Sequence, residues 1–318
     1  MFFRMRESLG TPDASYHRGV IYQLPEAQGR EWVAKGLADA TDEMPEDHRR
    51  VYAMLDDGAG EPCLFLPFLG EFGHKIMSHI RLVHWHKASR KIVCCRPGEE
   101  VLYPSAAECF TDWENPVPDR IRCASCSEAW FDFSEIEKRY RGHRPIYPRL
   151  TRTQELVAIN PGERIPFRPK LRGLRADVVL GIRRREFCPE KNWAHWEYLA
   201  GYFAGRGYSV GVVGTHDTSE RPLCASVHSG DFDTDAAIEL IQNCRLFLSS
   251  DTGGAHLAAT VGCPMVVFRE TSKSNRDMRP RMREVNPDIE CLPDEAWGDP
   301  GMVIRATLAR LAGEAARE

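Results

Sequence analysis

Two apolar stretches near residue 250 enclose a glycine-containing segment, and this pattern constrains the fold more than any other part of the chain. Leu246–Leu248 and Met265–Phe268 have the composition of buried strands. Between them, Asp251–Pro264 begins with a Thr-Gly-Gly turn and continues with residues typical of a short helix. The order strand, turn, helix, strand predicts a parallel α/β sheet, in which ligands bind at the carboxyl ends of the strands.

The turn at residues 251–256 carries groups that suit a phosphate-containing ligand. Gly253 and Gly254 allow the backbone to come close to a ligand. The N–H groups and the positive end of the following helix favour a diphosphate, while Asp251 and His256 add a carboxylate and an imidazole. The alternative is a structural turn in which Asp251 caps the helix, the glycines serve the geometry and His256 is packed.

Composition limits the class of protein. The 318 residues are enough for two domains, and 42% hydrophobic with 28% charged residues is typical of a globular protein. A net charge of −4 argues against a field that attracts nucleic acid. No apolar run approaches the ~20 residues of a membrane span. Eleven scattered cysteines, an odd number, favour a reducing, cytoplasmic location.

The strand and helix patterns divide the chain into three regions. Residues 1–60 form a predicted appendage with a short strand, a helix and an acidic linker at residues 40–47. Residues 61–175 form a predicted N-terminal Rossmann-like domain. Residues 176–318 form a predicted C-terminal Rossmann-like domain that ends in a helix. Proline and glycine residues that break regular structure mark the boundary between the two domains.

Two further motifs fit this architecture. Gly181–Arg185 ends the first strand of the C-terminal domain, and Lys191-Asn192-Trp193 follows it before a predicted helix. Gly70–His74 makes a turn after the first strand of the N-terminal domain. Together with the run at residues 251–264, these motifs resemble glycosyltransferase family 9, the bacterial ADP-heptose:lipopolysaccharide heptosyltransferases, and the wider GT-B class.

This resemblance implies a GT-B fold, in which two Rossmann-like domains face a cleft and the C-terminal one holds a nucleotide-sugar donor. It implies a glycosyltransferase that moves a sugar to an acceptor hydroxyl, with inversion and without a metal or other cofactor. The acceptor would be a glycan, a lipid-linked molecule or a small molecule. Two alternatives are a nucleotide-sugar epimerase of the same fold and an inactive module that binds a glycan or a partner.

The resemblance also implies roles for individual residues. Glu71 takes the position of an aspartate that acts as general base in the family, and His74 is a second candidate base. Lys191 and an arginine, Arg183 or Arg185, would stabilise the departing diphosphate. The other predicted donor-binding residues are those of the glycine turn and its helix: Asp251, Thr252, Gly253, Gly254 and His256. The structural alternative for Arg183, Arg185 and Lys191 is a solvated basic loop. The structural alternative for Glu71 is a solvated carboxylate at a helix N-terminus.

Three weaker signals favour structural explanations. Asp231-Phe232-Asp233 has the Asp-x-Asp form of a GT-A metal site, but it precedes a helix and is interpreted as a loop and cap. Cys123 and Cys126 form the sole Cys-x-x-Cys motif, and a zinc site of four ligands could be completed by Cys94, Cys95 or Cys109, although no second pair has suitable spacing. The basic stretch from Arg168 to Arg175 could contact an anionic acceptor, although a solvated face is the commoner explanation.

Overall fold

The computed structural model describes residues 1–10, 15–16, 18–24, 26–113, 133–147, 164–184, 189–270, 277 and 279–315. Two parallel sheets form the body of the protein, with four strands within residues 62–146 and six within residues 176–291. The predicted α/β class with two Rossmann-like sheets is therefore confirmed. Among the described residues, no helix combines the length and the apolar character that crossing a membrane requires.

A small antiparallel unit opens the chain. Its strands are β1 (Phe2–Met5), β2 (Leu9–Gly10), β3 (Ser15–Tyr16), β4 (Ile21–Gln23) and β5 (Ala38–Thr41). The main sheet has the order β4-β1-β5, while β2 and β3 pair with each other. Helix α1 (Glu26–Ala34) buries Trp32 against Phe3 and Met5. The unit therefore has a small hydrophobic core of its own.

Helix α2 (Glu46–Asp56) connects this unit to the next sheet. Residues 40–47, which the sequence predicts to be a linker, instead contain the end of β5 and the start of α2. Val51 and Leu55 of α2 are buried in the core of the following sheet. Residues 42–45 lie outside helix and strand, so the connection between β5 and α2 is shorter than the predicted linker.

The N-terminal parallel sheet has four strands: β6 (Pro62–Phe65), β7 (Arg90–Cys94), β8 (Glu108–Phe110) and β9 (Arg144–Ile146). Their spatial order is β8-β7-β6-β9, and all neighbours are parallel. The helical segments are α3 (Phe72–His74), a π-helical turn (Lys75–His79), α4 (Ile80–Trp85) and α5 (Ser134–Arg139). Since the order reverses between β6 and β9, the loop after β6 lies where such sheets bind ligands.

The C-terminal sheet has six parallel strands: β10 (Ala176–Gly181), β11 (Val210–Val213), β12 (Val227–His228), β13 (Cys244–Ser250), β14 (Met265–Phe268) and β15 (Ile289–Cys291). Its order is β12-β11-β10-β13-β14-β15, which is the doubly wound Rossmann order. The helices are α6 (Trp196–Ala204), α7 (Thr234–Gln242), α8 (Gly253–Val261), α9 (Arg279–Val285) and α10 (Pro300–Ala315). The reversal between β10 and β13 marks the expected ligand-binding edge.

One hydrophobic core joins the two parallel sheets. Ile76 and Ile80 of the N-terminal helical segment belong to the same cluster of buried side chains as Ala258 of α8. The fully buried Arg81 donates a hydrogen bond from Nη2 to Oγ1 of Thr260, at 3.2 Å. These contacts bring the turn at residues 70–74 next to the turn at residues 251–256.

Candidate functional site

A cavity of about 380 Å³ lies where the two parallel sheets meet. It opens beside the loops that follow β10, β11 and β13, at the carboxyl edge of the C-terminal sheet. The side chains and backbone that line it are those of Phe72, Glu99, Ile182, Arg183, Val213, Gly214, Thr215, Thr218, Ser229, Gly230, Phe232, Asp233, Thr234, Ala237, Thr252, Gly253, Gly254 and Leu257. The cavity therefore lies where the Rossmann strand order predicts a ligand site.

The glycine turn after β13 forms one wall of the cavity through Thr252, Gly253 and Gly254. Thr252 caps α8, since its Oγ1 accepts a hydrogen bond from the N–H of Ala255 at 3.2 Å. The structural alternative, in which Asp251 caps the helix, is therefore wrong on this point. The first turn of α8 faces the cavity, so its N–H groups and dipole favour an anionic ligand there.

Asp251 and His256 lie close together at this turn. The Nε2 atom of His256 is 3.4 Å from Oδ1 of Asp251, and the two side chains are 9% and 13% exposed. Neither is among the lining residues. Their pairing supports the turn, and Nη1 of Arg183 donates to the backbone carbonyl of Asp251 at 3.4 Å.

The basic groups after β10 differ in position. Arg183 lines the cavity, whereas Arg184 is 68% exposed and pairs with Glu220. Arg185 lies outside the described residues. Lys191 ends a short 3-10 helix, is half-buried and is not among the lining residues. Of the four, Arg183 is the one that the described structure brings to the cavity.

The N-terminal turn packs directly against the glycine turn. A Cβ atom added to Gly253 would lie 3.3 Å from the backbone nitrogen of Gly73, and one added to Gly73 would lie 3.0 Å from Cδ2 of His256. A side chain at either position would crowd this close approach, which glycine allows. The two motifs that the sequence analysis singled out, 180 positions apart in the chain, meet in space.

Glu71 and His74 are placed at this contact. Glu71 occupies the N-cap position of α3, but its side chain makes no capping hydrogen bond. Burial lowers the pKa of His74, and the carboxylates of Glu71 and Asp251 oppose that shift. Both candidate bases are half-buried. His74 is followed by the π-helical turn at residues 75–79, a distortion that often accompanies functional sites.

Sequence reasoning missed the residues that the N-terminal domain contributes to the cavity wall, Phe72 and Glu99. Glu99 forms an ion pair with Lys75, with Oε1 and Nζ 2.5 Å apart and side-chain exposures of 14% and 3%. Burial lowers the pKa of Lys75, while Glu99 opposes this shift. No pattern near Glu99 predicts this position, because residues 96–113 are mostly irregular.

Hydrogen bonds around His228 shape the cavity edge near β11 and β12. Nδ1 of His228 accepts from the N–H of Gly230 at 2.9 Å, and Nε2 lies 2.8 Å from Oγ of Ser219. Since Ser219 donates its hydroxyl proton to the carbonyl of Thr215, Nε2 of a neutral His228 must donate to Ser219. Thr215 and Thr218 also line the cavity. The sequence could have predicted them, because they follow the carboxyl end of β11, where ligands bind in such sheets.

His216, His228 and Asp231 have potential ligand atoms within 4.8 Å of one another. A metal ion would need a lone pair from each histidine. Both ring nitrogens of His228 are engaged by Gly230 and Ser219, and Asp231 also pairs with Arg221. The cluster is better described as a hydrogen-bonded support for the cavity edge than as a metal centre.

The weaker sequence signals have structural roles where they are described. Asp233 caps α7 by accepting from the N–H of Ala236 at 3.0 Å, as expected. Its other oxygen accepts from Arg172 at 2.7 Å, so this member of the basic stretch is paired within the chain. Cys123 and Cys126 lie outside the described residues.

The C-terminal part of the chain matches a known family. Residues 172–295 match glycosyltransferase family 9 (heptosyltransferase). Over 98 residues, the chain is 29% identical to lipooligosaccharide heptosyltransferase 2 of Haemophilus influenzae and 30% identical over 98 residues to lipopolysaccharide heptosyltransferase 2 of Escherichia coli. Each alignment covers 26% of this chain and 28% of the relative. The chain therefore spans little more than a quarter of the curated relatives that it matches.

The fold extends further than this sequence similarity. The structure of E. coli ADP-heptose LPS heptosyltransferase II aligns with a TM-score of 0.54 at 14% identity. The alignment covers 80% of this chain and 99% of that one. It confirms the predicted GT-B architecture of two Rossmann-like domains.

Proposed function

We propose that this protein, whose residues 172–295 match glycosyltransferase family 9, transfers a sugar from a nucleoside diphosphate to an acceptor hydroxyl. The observation that carries the proposal is the cavity between the sheets, where the start of α8 and Arg183 meet residues of the N-terminal domain. A transferase must hold two molecules together, and a site built from two domains suits that task.

The proposed donor site is the first turn of α8 together with Arg183. The N–H groups near Gly253 and Gly254 and the positive end of the helix stabilise a diphosphate. When the glycosidic bond breaks, the leaving nucleoside diphosphate gains negative charge. These groups therefore stabilise the transition state more than the ground state. Since they can neutralise the leaving group, we propose that the reaction needs no metal ion.

Glu71 is the proposed general base. It would accept the proton of the acceptor hydroxyl while that oxygen attacks the anomeric carbon. The new bond to the sugar forms as the bond to the diphosphate oxygen breaks, and this single displacement inverts the anomeric centre. The position of Glu71 at the start of α3, two residues before the Gly73 backbone that packs on the glycine turn, supports this role. His74, kept neutral at pH 7 by burial, which lowers its pKa, is the second candidate.

A thermal-shift panel tests the donor half of the proposal. We would measure ADP, UDP, GDP, dTDP and CDP, each alone and as a sugar conjugate. A ligand at 100 times its Kd raises the free energy of unfolding by about 2.7 kcal/mol, which is readily visible as a shift in Tm. We expect one nucleotide to stabilise the protein clearly more than the others. If none of them shifts the Tm, the proposed function is wrong.

A further inference from the structure

Two side chains of the N-terminal domain reach the cavity, Phe72 and Glu99, among lining residues that otherwise come from position 182 onward. Phe72 is 36% exposed, although it is a large apolar residue. The proposed reaction uses neither side chain. Because they line the same cavity, we ask which part of the ligand, other than the diphosphate, these two side chains could contact.

The carboxylate of Glu99 is held in a fixed position. Lys75 binds its Oε1 at 2.5 Å, and its Oε2 accepts from the N–H of Arg96 at 3.3 Å. Each carboxylate oxygen can accept more than one hydrogen bond, so Glu99 can still accept from a ligand. The side chain of Lys75 is only 3% exposed. Of this ion pair, Glu99 is therefore the member that lines the cavity.

The charges of the wall are unevenly distributed. Arg183 and the start of α8, both from the C-terminal domain, attract phosphate groups. The charge of Glu99 is paired with Lys75, and its oxygens suit hydroxyl donors. Asp233, a second carboxylate in the wall, belongs to the C-terminal domain and caps α7. Glu99 is the carboxylate that the N-terminal domain contributes to the same wall as Phe72.

Phe72 and Glu99 both line this wall and are linked through Lys75. Lys75, the ion-pair partner of Glu99, follows Phe72 by three positions, and its N–H donates to the carbonyl of Phe72. Residues at this spacing share a helix face. The ring of Phe72 also packs on the glycine turn, since a Cβ at Gly253 would lie 3.0 Å from its Cδ1. An apolar ring and a carboxylate in one wall match a sugar, whose C–H faces are apolar and whose hydroxyls donate hydrogen bonds.

We propose that Phe72 and Glu99 form the subsite for the sugar ring of the donor. The ring of Phe72 packs against the C–H face of the sugar, and Glu99 accepts hydrogen bonds from its hydroxyls. The diphosphate stays at the start of α8, within the same cavity. This inference rests on the proposed function, because it takes the ligand to be a nucleotide sugar.

The test compares two ligands that differ by the sugar alone. Calorimetry would give the Kd of the nucleoside diphosphate selected by the thermal-shift panel and the Kd of its sugar conjugate. We would measure wild type, Glu99→Gln and Phe72→Leu. Glu100→Gln is the matched control, since Glu100 is exposed and does not line the cavity. The double variant Lys75→Met/Glu99→Gln removes both charges and guards against unfolding caused by an unpaired buried lysine.

We expect Glu99→Gln and the double variant to weaken binding of the sugar conjugate about tenfold, the usual scale for losing a hydrogen bond to a charged group. Phe72→Leu should weaken it several-fold. In all of these variants, the Kd of the nucleoside diphosphate should stay within about twofold of wild type. In Glu100→Gln, the Kd of the sugar conjugate should also stay within about twofold of wild type. Equal weakening of both ligands, or of neither, overturns the subsite. If wild type binds no nucleotide at all, the proposed function itself has failed.

Discussion

Arg183 and Arg184 are neighbours in the chain with different surroundings. Arg183 lines the cavity and donates to the carbonyl of Asp251. Arg184 is 68% exposed and pairs with Glu220, and an exposed ion pair contributes little to stability. The resemblance to the family offered Arg183, Arg185 and Lys191 as diphosphate ligands, and the geometry favours Arg183 among those that are described.

We therefore predict that Arg183→Ala weakens binding of the donor nucleoside diphosphate about ten- to hundredfold, because a charge-assisted hydrogen bond to phosphate is lost. Arg184→Ala should bind within about twofold of wild type. Calorimetric titration of both variants tests this. Equal losses in the two variants would mean that the general charge of the loop, and not Arg183, attracts the ligand.

The two candidate bases can be separated by kinetics. Glu71→Gln removes a proton acceptor with little change of shape, and we predict that it lowers kcat about a hundredfold while the Kd of the nucleoside diphosphate is unchanged. Release of nucleoside diphosphate from the sugar conjugate measures turnover. His74→Gln is the comparison variant, for which we predict a smaller loss. A larger loss in His74→Gln than in Glu71→Gln would transfer the role of base to the histidine.

At the scale of the element, the contact between α3 and α8 depends on glycine at two positions. We predict that Gly253→Ala lowers the free energy of unfolding by about 1–2 kcal/mol, as overpacking does, because its Cβ would lie 3.0 Å from Phe72 and 3.3 Å from Gly73. Gly254→Ala is the matched control, since its Cβ would meet no atom closer than 3.5 Å.

Urea unfolding of the two glycine variants measures the difference. The control should lie within about 1 kcal/mol of wild type, because alanine also has the higher helix propensity. If Gly253→Ala were as stable as Gly254→Ala, the close approach of the two turns would not exist in solution. That result would also remove the geometric basis for a site shared by the two domains.

The elements around this contact differ in how far the sequence predicts them. The order β13, α8, β14 can be predicted from local sequence, because apolar runs and glycines within about twenty residues specify it. Strand β1 was missed, since its four residues are stabilised by pairing with β4 and β5. Glu99 reaches the cavity wall through Lys75, 24 positions away. No local pattern encodes such a contact.

At the scale of the whole molecule, the two parallel sheets are joined by packing as well as by the chain. Ile80 and Ala258 share one buried cluster, and Arg81 bonds to Thr260 across the same interface. The turn with Glu71 and His74 is therefore fixed relative to the glycine turn. A site assembled in this way would place the candidate base next to the proposed donor site without requiring either turn to fold around the ligand.

The same packing predicts how the whole protein responds to acid. Burial lowers the pKa of His74, His79, His86 and His228. For His79, which bonds to Tyr103, the pKa falls from 6.5 to about 3. The unfolded chain therefore binds protons below about pH 6.5 that the folded protein cannot bind. The free energy of unfolding should therefore carry the full contribution of these histidines above that pH. It should decrease as the pH falls towards the lowered pKa values of the folded protein.

We predict that His79 alone costs about 2 kcal/mol of stability between about pH 6.5 and pH 4.5, since the limiting slope is about 1.4 kcal/mol for each pH unit. His79→Gln cannot take up this proton but can still bond to Tyr103. Its stability should therefore fall less than that of wild type on acidification, whatever its value at pH 7. Urea unfolding across this pH range gives both profiles. Parallel profiles would mean that His79 is accessible to protons in the folded protein, and the interior beside the candidate base would then be hydrated.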